Sequence, residues 1–160
     1  WIHGLFRVNS KGEFNVPFGD YKNPKICDAE NLKLVANLLA RTEIRFGDFT
    51  ASNNFVDAST FVYFDPPYRP LNKTSSFTSY GKVDFNDNEQ FRLAQYYRSL
   101  NDKNAKLILS NSDPKNINSD DDFFDDLYQG FQIARIDAPR MINSRADKRG
   151  KLKELLIINY

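Results

Sequence analysis

The chain has 160 residues, enough for one domain with a hydrophobic core, and 41% of them are hydrophobic while 27% carry a charge. The formal net charge of +1 excludes a uniformly basic nucleic-acid-binding protein, so any basic surface must be local. The single cysteine, Cys27, excludes an internal disulfide framework and is typical of a reducing, cytoplasmic compartment. No apolar run is long enough to cross a bilayer, so the sequence predicts no membrane partner.

The first part of the chain predicts a hairpin, a helix and a short strand. Residues 2–18 alternate around a polar NSKG turn, in which Gly12 can take a positive φ. Residues 28–41 carry apolar side chains at helical spacing, and Asp28 is a candidate N-cap. Residues 43–49 are a short strand candidate.

The remainder of the chain alternates strands with helices. The apolar run at 60–65 is typical of a buried parallel strand, and a long loop follows it. The other predicted elements are a helix capped by Asp87 with Leu93, Tyr97 and Leu100 on one face, a short helix at 121–128, and strands at 106–112, 131–137 and 153–160. This order predicts an α/β sheet, in which sites form beyond the carboxyl ends of the strands. Asp65 and residues 110–112 lie at such ends.

The stretch FVYFDPPYRP, at 61–70, ends a strand with an acid, two prolines and an aromatic ring. Proline fixes φ and removes a backbone donor, and the residue before it is extended, so the Asp65 carboxylate and the Pro66 carbonyl remain as acceptors. Two acceptors suit an NH2 group, and Tyr68 offers a flat face on which a base can stack. In the alternative interpretation the prolines only end the strand and Tyr68 only packs. The apolar strand before them and the long loop after them favour a functional role.

Five segments, in order and spacing, resemble the Dam-type DNA adenine-N6 methyltransferases. They are HGLFRVNSKGEFNVPFG at 3–19, FVYFDPPYRPL at 61–71, FTSY at 77–80, LSNSD at 109–113 and NSRADKRGKLKELLIINY at 143–160. The resemblance implies part of a Rossmann-like S-adenosylmethionine-dependent methyltransferase sheet, with a DNA-recognition β-hairpin and helix. Residues 1–42 would be the DNA target-recognition segment, and residues 43–160 the C-terminal part of the catalytic domain.

The resemblance also implies a reaction. A methyl group would pass from S-adenosyl-L-methionine to adenine N6 in double-stranded DNA, at GATC-like sites, leaving S-adenosyl-L-homocysteine as product. The adenine would be flipped out of the duplex. Relatives that act on cytosine N4 or on protein glutamine usually carry serine or asparagine at the position of Asp65, so the aspartate favours adenine.

The resemblance assigns catalysis to four consecutive residues. The Asp65 carboxylate and the Pro66 carbonyl would accept hydrogen bonds from the adenine amine, Pro67 would shape the turn, and Tyr68 would stack on the flipped base. Catalysis would consist of positioning the reactants and stabilising charge, with no covalent enzyme intermediate.

Three residues are expected beside the cofactor. Asp65 is one of them, and Asp48 with Phe49 matches a family pair near the cofactor adenosine. An acid at a strand end and a phenylalanine in the core are an equally weighted alternative for the last two.

The resemblance places DNA contacts in three parts of the chain. Arg7 aligns with an arginine that reads a guanine in relatives, and arginine offers two donors to guanine O6 and N7. The basic loop at 140–153 favours phosphate contact over a merely solvated surface. The other predicted DNA-binding residues are Leu5, Asn9, Pro17, Tyr21, Lys22, Phe77, Tyr80, Arg140, Asn143, Arg145, Lys148 and Arg149.

The family also has an N-terminal segment with a glycine-rich cofactor turn, and the seven glycines of this chain are isolated from one another. We therefore expect the chain to be the C-terminal part of such an enzyme. Truncation, proteolysis or supply of the N-terminal segment as a separate partner piece would each explain this. The alternative function is a truncated, catalytically inactive DNA-binding fragment.

We predict that Arg7 carries sequence recognition while the basic loop carries general affinity. In the complete enzyme, Arg7→Ala should weaken a cognate duplex by ~1–3 kcal/mol more than a scrambled one, because a guanine contact discriminates between bases. Lys148→Ala or Arg149→Ala should weaken both duplexes alike and reduce the salt slope by about 1, because phosphates carry no sequence information. Fluorescence anisotropy at several salt concentrations measures both effects. An unchanged ratio of cognate to scrambled affinity in Arg7→Ala would contradict the assignment.

Overall fold

A computed structural model of the chain describes residues 9, 11–13, 27–71, 85–139 and 151–160. The chain divides into two compact units, Trp1–Gly47 and Asp48–Tyr160. The assignment of residues 1–42 to DNA target recognition stays a prediction. Within the described ranges, no helix is both long and apolar enough to span a membrane.

The first unit contains the predicted polar turn. The Asn9 backbone N–H donates to the Glu13 carbonyl at 2.9 Å, and the Asn9 Oδ1 accepts from the N–H groups of Lys11 and Glu13 at 2.9 and 3.0 Å. Gly12 has a φ of +80°, which confirms the positive φ expected at this position. The runs on either side, 2–8 and 14–18, lie outside the described residues.

Helix α1 spans Ala29–Leu39 in the first unit. The Asp28 carboxylate accepts from the Asn31 N–H at 3.3 Å, which confirms the predicted N-cap. The helix is slightly shorter than the predicted range of 28–41.

The predicted strand at 43–49 is wrong. Residues 42–46 are irregular, and a 3₁₀ helix follows at Phe49–Phe55. The Asp48 Oδ1 accepts from the Thr50 N–H at 2.9 Å and from the Thr50 hydroxyl at 2.6 Å. Because this aspartate caps the first turn, the chain coils here instead of continuing as an extended strand.

The second unit contains a four-stranded mixed sheet. Its strands are β1 (Phe61–Phe64), β2 (Lys106–Ser112), β3 (Gln132–Pro139) and β4 (Lys151–Ile158), in the order β1-β2-β4-β3. Strand β1 is parallel to β2, whereas β4 is antiparallel to both β2 and β3. The predicted α/β class and the parallel pairing of the first strand are confirmed.

Strand β1 differs from the predicted buried strand in one respect. It lies at the edge of the described sheet, and Phe61 and Tyr63, which share one face of the strand, are 56% and 54% exposed, whereas Phe64 on the opposite face is buried. Apolar composition alone does not show whether both faces of a strand are covered.

Helix α2 spans Asp87–Asn101 and packs on β2. Its N-cap is Asn86, whose side chain accepts from the N–H groups of Asn88 and Glu89; the predicted cap, Asp87, is wrong by one residue. Asp87 instead starts the helix and directs its carboxylate to an arginine described below.

The apolar face of α2 forms the core, as its spacing predicted. Leu93, Tyr97 and Leu100 are buried, and a short helix α3, Phe123–Leu127, closes the same core. Other buried side chains of this core come from the strands: Phe64, Leu107, Leu109, Leu155 and Ile157. Two more are Phe124 of α3 and Tyr128, the residue that follows α3.

Two fully buried tyrosines in this core allow a matched test of hydrogen bonding. The Tyr97 hydroxyl lies 3.2 Å from the carbonyls of Leu107 and Ile157, whereas the Tyr128 hydroxyl has no hydrogen-bond partner among the described residues. Tyr97→Phe should lower the free energy of unfolding by about 0.5–1.5 kcal/mol, and Tyr128→Phe should change it by less than about 0.5 kcal/mol or raise it. Urea denaturation measures both, and equal losses would contradict the assignment.

Candidate active site at the ends of β1 and β2

The parallel pairing of β1 with β2 brings two polar strand ends together, as the sequence predicted. Phe64 is paired with Leu109, so Asp65 lies beside Ser110. The Ser110 hydroxyl lies 3.2 Å from Asp65 Oδ1 and 3.4 Å from the Phe64 carbonyl, and it accepts from the Tyr63 hydroxyl at 3.0 Å. Ser110 is 2% exposed, so a buried hydroxyl orients the exposed carboxylate.

The two acceptors expected from the sequence differ in exposure, since Asp65 is exposed and Pro66 is partly buried. Among the described residues, Ser110 is the one donor that reaches the Asp65 carboxylate, and none reaches the Pro66 carbonyl. A carboxylate holds about four lone-pair positions, so a single serine leaves capacity for further donors. The strand end therefore offers a carboxylate and a carbonyl to an incoming amine.

Tyr68 is half-buried beside these acceptors. Burial raises the pKa of the Tyr68 phenol, a hydrogen bond with Ser110 lowers it in part, and the nearby charges of Glu154 and Asp65 raise it further. The ring is therefore neutral at physiological pH. Its hydroxyl and the Asp65 carboxylate share Ser110 as a neighbour.

Arg69 holds the segment that follows. Its Nε donates to Asp87 at 2.9 Å and its Nη1 to Asp121 at 3.0 Å, while its Cζ lies 4.2 Å from the centre of the Phe123 ring. Sequence reasoning missed this residue. The arginine and the nearby acids are visible in the sequence, but their partners lie 18 and 52 residues away, and only the fold brings them together.

Asp48 and Phe49, predicted beside the cofactor, make structural contacts. Two guanidinium nitrogens of Arg92 donate to the Asp48 carboxylate at 2.9 and 2.8 Å, and this pairing holds the pKa of Asp48 well below its ordinary value. The Arg92 Cζ lies 4.2 Å from the centre of the Phe49 ring, which also packs on Tyr96 with ring centres 5.6 Å apart. Their role at the cofactor stays a prediction.

Most of the predicted DNA-binding residues lie outside the described residues: Leu5, Arg7, Pro17, Tyr21, Lys22, Phe77, Tyr80, Arg140, Asn143, Arg145, Lys148 and Arg149. Asn9 is described, and its side chain stabilises the polar turn. Within the described ranges, no group of three or more histidine, cysteine or acidic side chains could hold a metal ion.

A mixed α/β sheet with a DPPY segment at a parallel strand end places the chain in the class of methyltransferases that act on an amine. The chain belongs to the D12 class N6 adenine-specific DNA methyltransferase family, which matches residues 1–142. The resemblance seen in the sequence is thereby confirmed.

Three relatives illustrate the similarity. The chain is 59% identical over 159 residues to the Type II methyltransferase M.MjaIII of Methanocaldococcus jannaschii, covering 99% of this chain and 53% of that protein. It is 40% identical over 161 residues to the Type II methyltransferase M1.LlaDCHI of Lactococcus lactis subsp. cremoris, covering 99% and 54%. It is 35% identical over 158 residues to the DNA adenine methylase of Haemophilus influenzae, covering 98% and 52%. The chain thus spans about half the length of the curated relatives it matches.

The contacts of Arg69 predict that it orders the DPPY segment. Arg69→Met should speed amide hydrogen exchange at position 69, whose N–H donates to Asn111 Oδ1, because two ion pairs and a cation–π contact are lost. Arg92→Met is the matched control, since Arg92 also makes two ion pairs and a cation–π contact at 4.2 Å. It should speed exchange in the 3₁₀ helix Phe49–Phe55 and leave exchange at position 69 unchanged. Equal effects of the two variants at position 69 would contradict the prediction.

Proposed function

We propose that this protein, in its full-length form, transfers a methyl group from S-adenosylmethionine to the N6 amine of adenine in duplex DNA, at sites resembling GATC. The observation that carries the proposal is the exposed Asp65 carboxylate at the strand end, bonded to the buried Ser110 hydroxyl and followed in the chain by Pro66 and the half-buried Tyr68. Family membership and relatives named DNA adenine methylase support it.

The two acceptors would bind the two N–H groups of the adenine amine. Each hydrogen bond fixes one N–H direction, so the nitrogen lone pair is turned away from both acceptors and is available for reaction. The hydrogen bond from Ser110 holds the Asp65 carboxylate in one orientation. When bound, S-adenosylmethionine supplies an electrophilic methyl group, and its sulfur retains the carbon–sulfur electron pair. The Asp65 carboxylate would accept the proton that the amine then releases.

Only part of the described chain fits a cofactor site. The exposed Asp65 carboxylate at the strand end suits a polar group of the cofactor. The other two proposed cofactor residues, Asp48 and Phe49, already contact the Arg92 guanidinium. A ribose or adenine bound to them would therefore lie against this guanidinium as well. The described glycines, Gly12, Gly47 and Gly130, are isolated and form no glycine-rich turn.

The target adenine must leave the duplex to reach a strand-end site. Flipping costs a few kcal/mol. Stacking on Tyr68 is worth ~1–3 kcal/mol and offsets much of this cost. A phenol is neutral at physiological pH, and burial raises the pKa of Tyr68 further, so its ring presents no charge to the base. Arg7 and the basic loop at 140–153 are the proposed source of sequence recognition and of phosphate affinity.

The proposal predicts two losses of different size. Asp65→Ala should abolish methyl transfer to an adenine-containing duplex, because the amine loses its carboxylate acceptor. Tyr68→Ala should reduce transfer by about 5- to 150-fold, because this factor corresponds to the loss of ~1–3 kcal/mol of base stacking. Transfer of a radiolabelled methyl group to GATC-containing and scrambled duplexes measures both.

Exposed residues of the same types serve as controls. Asp102→Ala and Tyr160→Ala, both distant in sequence from the DPPY segment, should retain activity. Full activity of Asp65→Ala would overturn the proposed function. Binding of DNA by the wild-type protein without any methyl transfer would support the alternative of an inactive DNA-binding protein.

A further inference from the structure

We propose that the buried side-chain amides of Gln90 and Asn111 are positioning residues that set the orientation of Tyr68. The inference rests on the proposed function and adds to it two residues that the DPPY motif does not contain. Both side chains are 0% exposed, and they come from different elements, Gln90 from α2 and Asn111 from β2.

The two amides bind the peptide groups on either side of Tyr68. Gln90 Nε2 donates to the Pro67 carbonyl at 3.2 Å, and this carbonyl belongs to the peptide group before Tyr68. Asn111 Oδ1 accepts from the Arg69 N–H at 3.0 Å, and this N–H belongs to the peptide group after Tyr68. With both flanking peptide groups held, the backbone of Tyr68 has little freedom, so the direction in which its Cα–Cβ bond leaves the backbone is fixed.

The hydrogen bonds of the pair have a single possible direction. Asn111 Oδ1 accepts a second backbone N–H, that of Ser112, at 2.9 Å, so this end of the amide must be the oxygen. The Asn111 Nδ2 then donates to Gln90 Oε1 at 3.3 Å, which leaves Gln90 Nε2 to donate to the Pro67 carbonyl. Reversal of either amide would place like atoms against each other.

The prolines explain why amides are needed at these positions. Pro66 and Pro67 have no backbone N–H, so the segment after β1 cannot continue in the sheet, and its polar groups need other partners. Burying a side-chain amide without hydrogen-bond partners costs free energy. The amides of Gln90 and Asn111 avoid this cost because they bond to each other and to the backbone of the segment. The Ser112 hydroxyl adds a bond of 2.6 Å to the Arg69 carbonyl.

The test is a double-mutant cycle in the full-length protein with Gln90→Leu and Tyr68→Ala. Steady-state kcat and KM for methyl transfer to a GATC-containing duplex are measured for the wild type, both single variants and the double variant. Gln90→Leu should lower kcat/KM by about 5- to 150-fold, because a misplaced Tyr68 ring loses its stacking on the base. In the Tyr68→Ala background it should lower kcat/KM by less than about threefold, because there is no ring left to orient.

Tyr68→Phe separates orientation from the hydroxyl group. This variant keeps the ring, so the loss caused by Gln90→Leu should persist in it at full size. The quantity compared is the factor by which Gln90→Leu lowers kcat/KM in each Tyr68 background. If that factor is as large in Tyr68→Ala as in Tyr68→Phe, the inference is overturned. Inactivity of the wild-type protein would instead contradict the proposed function, so the two failures are distinguishable.

Asn159→Leu is the control for a merely structural effect. The Asn159 amide also makes three hydrogen bonds, to Leu107, Asn101 and Ala105, but at the opposite end of β2. It should lower the unfolding temperature without changing kcat/KM. Amide exchange at Arg69 gives a readout independent of activity. It should become faster in Asn111→Leu and stay unchanged in Asn159→Leu, and unchanged exchange in both would overturn the inference.

Discussion

The parallel pairing of β1 with β2 is the constraint on which the candidate site depends. It aligns Phe64 with Leu109, so that the acid after one strand meets the polar end of its neighbour. A shift of register by one residue would turn every side chain of β1 to the opposite face and would separate Asp65 from Ser110. Antiparallel pairing would place the two ends at opposite edges of the sheet. The chemistry proposed for this protein therefore depends on strand direction as much as on the DPPY motif.

The polar end of β2 contacts the DPPY segment from both faces of the sheet. Successive side chains of a strand point to opposite faces, so Ser110 and Ser112 lie on one face and Asn111 on the other. Ser110 contacts the Asp65 carboxylate, Ser112 the Arg69 carbonyl, and Asn111 the Arg69 N–H. Three consecutive residues of one strand thus hold a segment whose prolines deprive it of ordinary sheet hydrogen bonds.

The contacts that hold the DPPY segment differ in how much they contribute to stability. Exposed ion pairs contribute about 0–1 kcal/mol each, whereas a buried polar group left without a partner costs about 1–3 kcal/mol. The Gln90–Asn111 pair is fully buried, and the Arg69 side chain is 24% exposed. The buried amides should therefore determine the conformation of the segment, and the arginine should limit its fluctuations.

The sequence by itself determined the α/β class and the family of this protein, and from residue 60 onward it predicted the order of the described strands and α-helices. Hydrophobic periodicity predicted α2 and its buried Leu93, Tyr97 and Leu100, and the prolines after Asp65 marked the strand end, because such signals depend on near neighbours in the chain. The local signals misled in two places: Asp48 caps a 3₁₀ helix through its bonds to Thr50, within the predicted strand at 43–49, and β1 has an exposed face at the edge of the described sheet. Only the tertiary structure decided which side chains hold the site. Asn111 lies at a strand end that the sequence had marked, but its partner Gln90 is an ordinary amide until α2 packs on β2, since a hydrogen bond between residues 21 positions apart leaves no trace in sequence spacing.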